Sequence, residues 1–319
     1  MTTGRWAVRV PATTANLGPG FDALGAALSS HLVAGVVSRG DERVSTRGEG
    51  AGDVSTDDDN LVWTSLVRFC THTGVDVPDV SLQVDNAIPL ERGLGSSSAA
   101  IVAGLVLGRA LTGAAVGDRD LVALATEVEG HPDNVAPAIL GGFVACTTTT
   151  DGALVVRRAQ PPARLAVLSA VPALRQNTAA ARRTLPEELS RADVATQAGR
   201  AAHVTGALTG AWPMDVGAAG DLLHEPVRLQ SMADSGALVD ALRAAGVHAW
   251  LSGAGPSVAA TVPRADTAMG ERALEVSAAH GFAGRLLDWD LSGALACPDG
   301  GCAVSGLGGC HGCPRQRLW

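Results

Sequence analysis

The 319-residue chain contains no lysine: its 24 basic residues are all arginines, set against 32 acids. A Walker A loop needs a lysine to reach the terminal phosphates of its nucleotide, so a P-loop NTPase is excluded on chemistry. A net charge of -8 argues against a nucleic-acid partner, which would call for a basic stripe. Aromatic residues are scarce at 3%, while 39 glycines and a hydrophobic fraction of 46% describe a globular chain built from Ala, Val and Leu. Long apolar runs are missing too: the longest, Ala99 to Leu107, falls far short of the ~20 residues of a membrane span. Met1 to Asn16 has no apolar signal-peptide core, and the expected location is the cytoplasm. Of six cysteines, Cys70 and Cys146 stand alone in apolar surroundings, as reduced core thiols do, and four cluster at the C-terminus.

The length suits two ordinary domains. Arg5 to Val10 alternates like a strand, and Pro11 to Gly20 has the composition of a loop. Further strands are expected at His31 to Val37, Val80 to Asp85 and near Gly142 to Cys146, with helices at Asp59 to Thr73, Ser98 to Leu111 and, capped by Asp118, through Val128. Thr147 to Arg164, with four threonines in a row and the Pro161-Pro162 pair, reads as the domain boundary. Beyond it come a strand at Leu165 to Val171, helices near Ala192 to Ala211 and Gly236 to Ala245, paired strands Val247 to Leu251 and Val258 to Val262, and a helix around Ala265 to His280. Interleaving of this kind predicts an α+β fold in both halves.

The segment richest in chemistry is Pro89-Leu-Glu-Arg-Gly-Leu-Gly-Ser-Ser-Ser-Ala-Ala100, a glycine and serine loop running into an apolar helix. Gly93 and Gly95 let the backbone approach phosphate oxygens, and the N–H groups of the helix start point at an anion with the helix dipole behind them. Three serines add hydroxyls suited to phosphate or Mg²⁺. A glycine-rich turn capped by serine reads the same residues without a ligand. Two other glycine-rich segments follow strands: Pro11-Ala-Thr-Thr-Ala-Asn-Leu-Gly-Pro-Gly-Phe-Asp22 and Leu251-Ser-Gly-Ala-Gly-Pro-Ser-Val258.

In order and separation these three segments resemble the motifs of the GHMP kinases. Gly130-His-Pro-Asp-Asn-Val-Ala-Pro137 with Gly141-Gly142, Asn177-Thr178 with Arg182 and Leu185-Pro186, and His224-Glu-Pro-Val-Arg228 resemble the homoserine kinases within that class, over roughly residues 5 to 290. The resemblance implies a ribosomal-S5-like N-terminal ATP-binding domain (1-158), a ferredoxin-like C-terminal domain (159-290) and an active site between them. It places ATP on the loop formed by Pro89, Arg92, Gly93, Leu94, Gly95, Ser96, Ser97, Ser98 and Ala99, with adenine near Asn60 and Val62. Mg²⁺ would be held by Ser97 and Glu127. Glu127 is preferred to Glu129 because its spacing to His131 resembles the wider class; the alternative reading as solvated helix surface applies more to Glu129 than to Glu127.

The implied substrate is L-homoserine, phosphorylated on its side-chain hydroxyl. Its carboxylate would meet Arg182 and Arg228, whose guanidinium forks suit bidentate recognition, and its ammonium would meet Asp22. Asn16, His131, Asp133, Asn134, Thr178, Gly253 and Gly255 would complete the pocket. Asn134 stands where mevalonate kinase carries an aspartate base. Its amide cannot take up a proton usefully, so Asn16, Ser97, Glu127, Asn134 and Arg182 are expected to act by positioning and charge stabilisation, which a loose phosphoryl-transfer transition state permits. The family often forms dimers, so a homodimer is expected on that ground alone.

After Trp289 the resemblance stops. Cys297, Cys302, Cys310 and Cys313 could be read as a four-thiolate zinc site, but the spacing of the first pair and the short glycine-rich interval favour a flexible tail over 291-319. Truncation after Trp289 is accordingly expected to be silent.

Overall fold

A computed structural model describes residues 6–38, 40–175 and 185–298. One sheet has seven strands: β1 (Ala7–Ala15), β2 (Leu24–Val37), β3 (Val44–Gly48), β4 (Ser81–Asn86), β5 (Phe143–Thr148), β6 (Leu154–Ala159) and β11 (Leu295–Cys297). The long strand β2 organises it, pairing antiparallel with β1, with β4 through its C-terminal part and with β5 through its N-terminal part. Helices α1 (Leu61–Thr73), α2 (Ser96–Thr112), α3 (Asp118–Glu129) and α4 (Pro132–Leu140) belong to this half. α2 is the central one: Ile101 to Gly108 are buried without a break, so it is apolar all round.

The second sheet is antiparallel, in the order β10-β7-β9-β8, from β7 (Leu165–Val171), β8 (His248–Leu251), β9 (Val258–Pro263) and β10 (Ala283–Leu287). α7 (Ala233–Ala244) lies between β7 and β8 in the chain, and α8 (Thr267–Ala279) between β9 and β10, giving the split βαβ arrangement of a ferredoxin-like domain. α5 (Arg191–Leu208) and the short α6 (Glu225–Ser231) fill the long β7-to-α7 connection. Trp250, Val167, Ala259 and Leu208 join the core cluster of the first half, so the halves share one apolar interface. Among the described residues no helix is long and apolar enough to cross a membrane.

Several expectations need correcting. β1 continues to Ala15, past the expected loop start, because Thr13 and Thr14 are wholly buried with their hydroxyls bonded to Asn134, Trp250 and Ser252. The expected boundary at 158 falls within β6, whose hairpin with β5 makes Thr147 to Ala159 part of the first sheet. Asp118 is not the cap of α3; Gly117 is, and the Asp118 carboxylate pairs with Arg109 at 2.7 Å.

Residues 291 to 298 are not the flexible tail expected there. Asp290 bonds His31 at 2.8 Å and the amides of Ser292 and Gly293, each at 2.8 Å. Burial opposes the charge of its carboxyl, but the His31 bond and the two amides outweigh it and hold the pKa below the usual range. Leu291 accepts from Arg158, Ala294 donates to Ile139, and Cys297 is buried opposite Ala7. Cys302, Cys310 and Cys313 lie outside the described residues. A chain ending at Trp289 should therefore melt below one ending at Pro298 by roughly 5–10 °C, since it loses this whole set of contacts. Equal melting temperatures in a thermal scan would show that residues 290 to 298 contribute nothing.

Candidate active site

The three glycine loops meet at the interface of the two sheets. Gly95, with φ 69°, caps α2 in a left-handed conformation; a β-carbon there would lie 2.0 Å from the Thr13 hydroxyl. Gly93 is pressed against the third loop, where a β-carbon would stand 2.1 Å from the Ser252 carbonyl oxygen. Cross-bonds lock the contact: Ser252 Oγ donates to the Gly93 carbonyl at 2.7 Å, Asn16 Nδ2 to the Gly253 carbonyl at 2.9 Å, and Thr13 N to the Leu94 carbonyl at 3.1 Å. No side chain caps the start of α2, so its first amides face the cleft together with the helix dipole.

The cleft has a volume of about 760 Å³ and is lined at one end by Asn60, Val62, Thr46, Val84 and Leu90, and at the other by Asp22, His131, Asp133, Asn134 and Arg228. Between them lie Gly93, Gly95 and Ser96 to Ser98. Asn60 caps α1, accepting from Val62 N at 2.9 Å and donating to the Ser55 carbonyl at 2.6 Å. Arg92 lines the cleft while its guanidinium bonds the carbonyls of Leu90, Pro172 and Ala173. Pro89, Leu94, Ala99 and Gly255 do not line it: Leu94 and Ala99 pack into the core, and the Ala99 amide is used by the Gly95 carbonyl at 2.8 Å.

The structure brings Glu129, two residues on from the expected Glu127, into the cleft. Glu127 points outward, 59% exposed, and pairs with Arg68 at 3.0 Å. Glu129 enters the cleft, where Oε1 accepts from Ser97 Oγ at 3.1 Å and Ser98 Oγ at 2.6 Å and lies 4.0 Å from His131 Nε2. Helical periodicity is the signal that finds it. Glu129 follows Leu121 and Ala125 at i+8 and i+4, on the buried face, whereas two residues correspond to about 200° of rotation and turn Glu127 away. The serine hydroxyls and Glu129 carboxylate are hard oxygen donors at a helix N-terminus, a set whose chemistry fits Mg²⁺.

At the other end His131 Nδ1 and Asp133 Oδ1 are 2.6 Å apart, and ligand atoms of Asp22, His131 and Asp133 lie within 4.8 Å of one another, a constellation able to hold a cation. Asp22 is set by the first loop: its φ is 54°, and its amide donates to Asn16 Oδ1 at 3.2 Å. Asn16 thus braces the first loop against the third with its amide while itself lining the cleft. Asn134 is buried and accepts from the Thr13 hydroxyl at 2.8 Å, which leaves its NH₂ as the edge able to donate into the cleft. Arg228, 3% exposed, donates to the Gly253 carbonyl at 3.0 Å with its guanidinium carbon 5.4 Å from the centre of the Phe21 ring. Thr178 and Arg182 lie outside the described residues. Sequence reasoning missed Phe21 and Asn86; the latter ties the second loop by bonds to Ile88 and to Ser96 Oγ at 3.4 Å, and no motif marks it.

The chain is similar to known proteins over nearly its whole length. The model of the GHMP kinases N terminal domain matches residues 60–142. Homoserine kinase of Streptomyces avermitilis is 41% identical over 91% of this chain and 95% of its own length. That of Desulfitobacterium hafniense is 36% identical over 90% and 98%. The crystal structure of homoserine kinase from Cytophaga hutchinsonii superposes with a TM-score of 0.77 at 25% identity, covering 93% of this chain and 98% of that one. At such identity over nearly the whole of both chains, with the three loops assembled around one cleft, the chain belongs to the homoserine kinase branch of the GHMP kinases.

Proposed function

We propose that the protein transfers the γ-phosphoryl group of ATP to the side-chain hydroxyl of L-homoserine, giving O-phospho-L-homoserine for threonine synthesis. The observation that carries this reading is a single cleft joining an uncapped helix N-terminus, with serine hydroxyls on a carboxylate, to a buried arginine and an acidic pair. That combination suits a triphosphate at one end and a zwitterion at the other. Asn60 and Val62 border the adenine end, and the amides of Ser96 to Ser98 cradle the phosphates. Ser97 and Glu129 would hold Mg²⁺, which when bound neutralises charge on the transferring phosphoryl group.

Arg228 binds the substrate carboxylate, with Arg182 beside it on the family's pattern, and Asp22 accepts from the ammonium. His131, through Nδ1, holds Asp133 in place as the second carboxylate of that subsite. The hydroxyl is thereby fixed near Asn134, whose NH₂ donates and takes up no proton; as the new O–P bond forms and the bond to ADP breaks, the hydroxyl proton passes to a phosphate oxygen. Rate enhancement comes from alignment and electrostatics, since little deprotonation is needed before a loose transition state. Steady-state ADP release with a panel of hydroxylated amino acids tests the assignment. L-Homoserine should give the highest kcat/KM; a higher value for L-serine or L-threonine would move the protein to another amino-acid kinase of the same fold.

A further inference from the structure

We propose that His224 is a positioning residue that couples the turn of the first glycine loop to the guanidinium of Arg228, so that the two grips on the substrate are set together. The inference rests on the reading of Arg228 as the carboxylate-binding group. The imidazole is wholly buried at the start of α6. Its Nε2 is 2.9 Å from the Gly18 carbonyl oxygen, and a carbonyl only accepts, so Nε2 carries the hydrogen. Nδ1 is then a lone pair, and it faces Arg228 Nη1, which only donates, at 3.4 Å. One tautomer satisfies both partners. The Asp221 carboxylate, which caps α6 through the amides of His224 and Glu225, stands 3.7 Å from Nε2, on the side of its hydrogen.

The other connections close a circuit. Arg228 Nη1 also donates to the Gly253 carbonyl at 3.0 Å, and the same oxygen accepts from Asn16 Nδ2 at 2.9 Å. Asn16, Leu17 and Gly18 are consecutive left-handed residues, with φ of 68°, 50° and 88°. Two of them are not glycine, so the turn stores strain and needs holding from outside. His224 holds it at Gly18. The same turn carries Phe21, whose ring lies 5.5 Å from that of His224 and under Arg228, and Asp22. Moving His224 therefore moves the cation for the carboxylate and the anion for the ammonium at once.

The imidazole ¹⁵N shifts of His224 in the wild-type protein should be those of an Nε2–H tautomer with a hydrogen-bonded Nδ1; the opposite tautomer would overturn the inference without recourse to any variant. His224→Gln keeps a donor near the Nε2 position and loses the acceptor facing Arg228. It should raise the KM for L-homoserine roughly tenfold, the effect of one hydrogen bond to a charged group, with the KM for ATP and the melting temperature little changed. It should also narrow the discrimination between L-homoserine and 3-aminopropan-1-ol, which lacks the carboxylate. His224→Asn keeps an oxygen near the Nδ1 position but releases Gly18, so it should retain that discrimination and lose roughly tenfold in kcat. Equal losses toward both substrates with a lowered melting temperature, or no change in either variant, would reduce His224 to a packing residue. A wild type that fails to discriminate against 3-aminopropan-1-ol would instead remove the carboxylate reading, and the inference with it.

Discussion

Glu129→Gln is expected to lower turnover roughly 10- to 100-fold while Glu127→Gln stays within about twofold of the wild type. The two residues are of one type and two positions apart, so the contrast isolates geometry. Glu129 is 11% exposed and receives the hydroxyls of Ser97 and Ser98 at the mouth of α2. Glutamine preserves its volume and one acceptor oxygen but removes the charge that a hard cation needs. Glu127 stands in solvent with Arg68, where an ion pair contributes little. The loss should appear in kcat, with circular dichroism and melting temperature near those of the wild type. A large defect in Glu127→Gln with a near-normal Glu129→Gln would return the metal site to the residue favoured by spacing to His131.

That reversal shows which parts of the site were legible in the sequence. The three glycine loops could be read because their chemistry demands rare residues in fixed order: glycines where backbones touch, as at Gly93 against Ser252, and serines at a helix start. Asp22, Asp133, Asn134 and Arg228 were found through the resemblance, and they do line the cleft. The spacing to His131 favours Glu127, but the helical face defined by Leu121 and Ala125 is the one that carries a glutamate, Glu129, into the cleft. β1 was cut short because Thr13 and Thr14 look like loop residues until their buried hydroxyl partners, far away in sequence, are seen. α4 is hidden in the sequence by two prolines: Pro132 stands in the first helical turn, where proline is tolerated, but Pro137 lies inside the helix, where proline normally breaks it. β11 is three residues long and gains its meaning only from Ala7 to Arg9 at the other end of the chain. Information of that kind is non-local, and no window of sequence contains it.

Substrate identity reaches furthest beyond the glycine loops, and the ammonium subsite is where it can be tested most sharply. If Asp22 accepts from the ammonium beside a buried Asp133, a substrate lacking that group withholds the cation this acidic pair is placed to receive, in a cleft also lined by His131 and Asn134. Truncating one side of a buried charged pair typically costs about 2–5 kcal/mol. The corresponding loss in kcat/KM is about 30-fold to several thousand-fold, since each 1.36 kcal/mol is a factor of ten. 4-Hydroxybutyrate keeps the carboxylate and the hydroxyl of L-homoserine and lacks only the ammonium. Asp22→Asn removes the charge that this analogue fails to match, so the variant should discriminate much less. The decisive measurement is the ratio of kcat/KM for L-homoserine to that for 4-hydroxybutyrate, taken from ADP release in the wild type and in Asp22→Asn. A ratio of at least about 30 in the wild type, falling toward unity in the variant, is the predicted result; a wild-type ratio near one would contradict the amino-acid pocket and the homoserine assignment together.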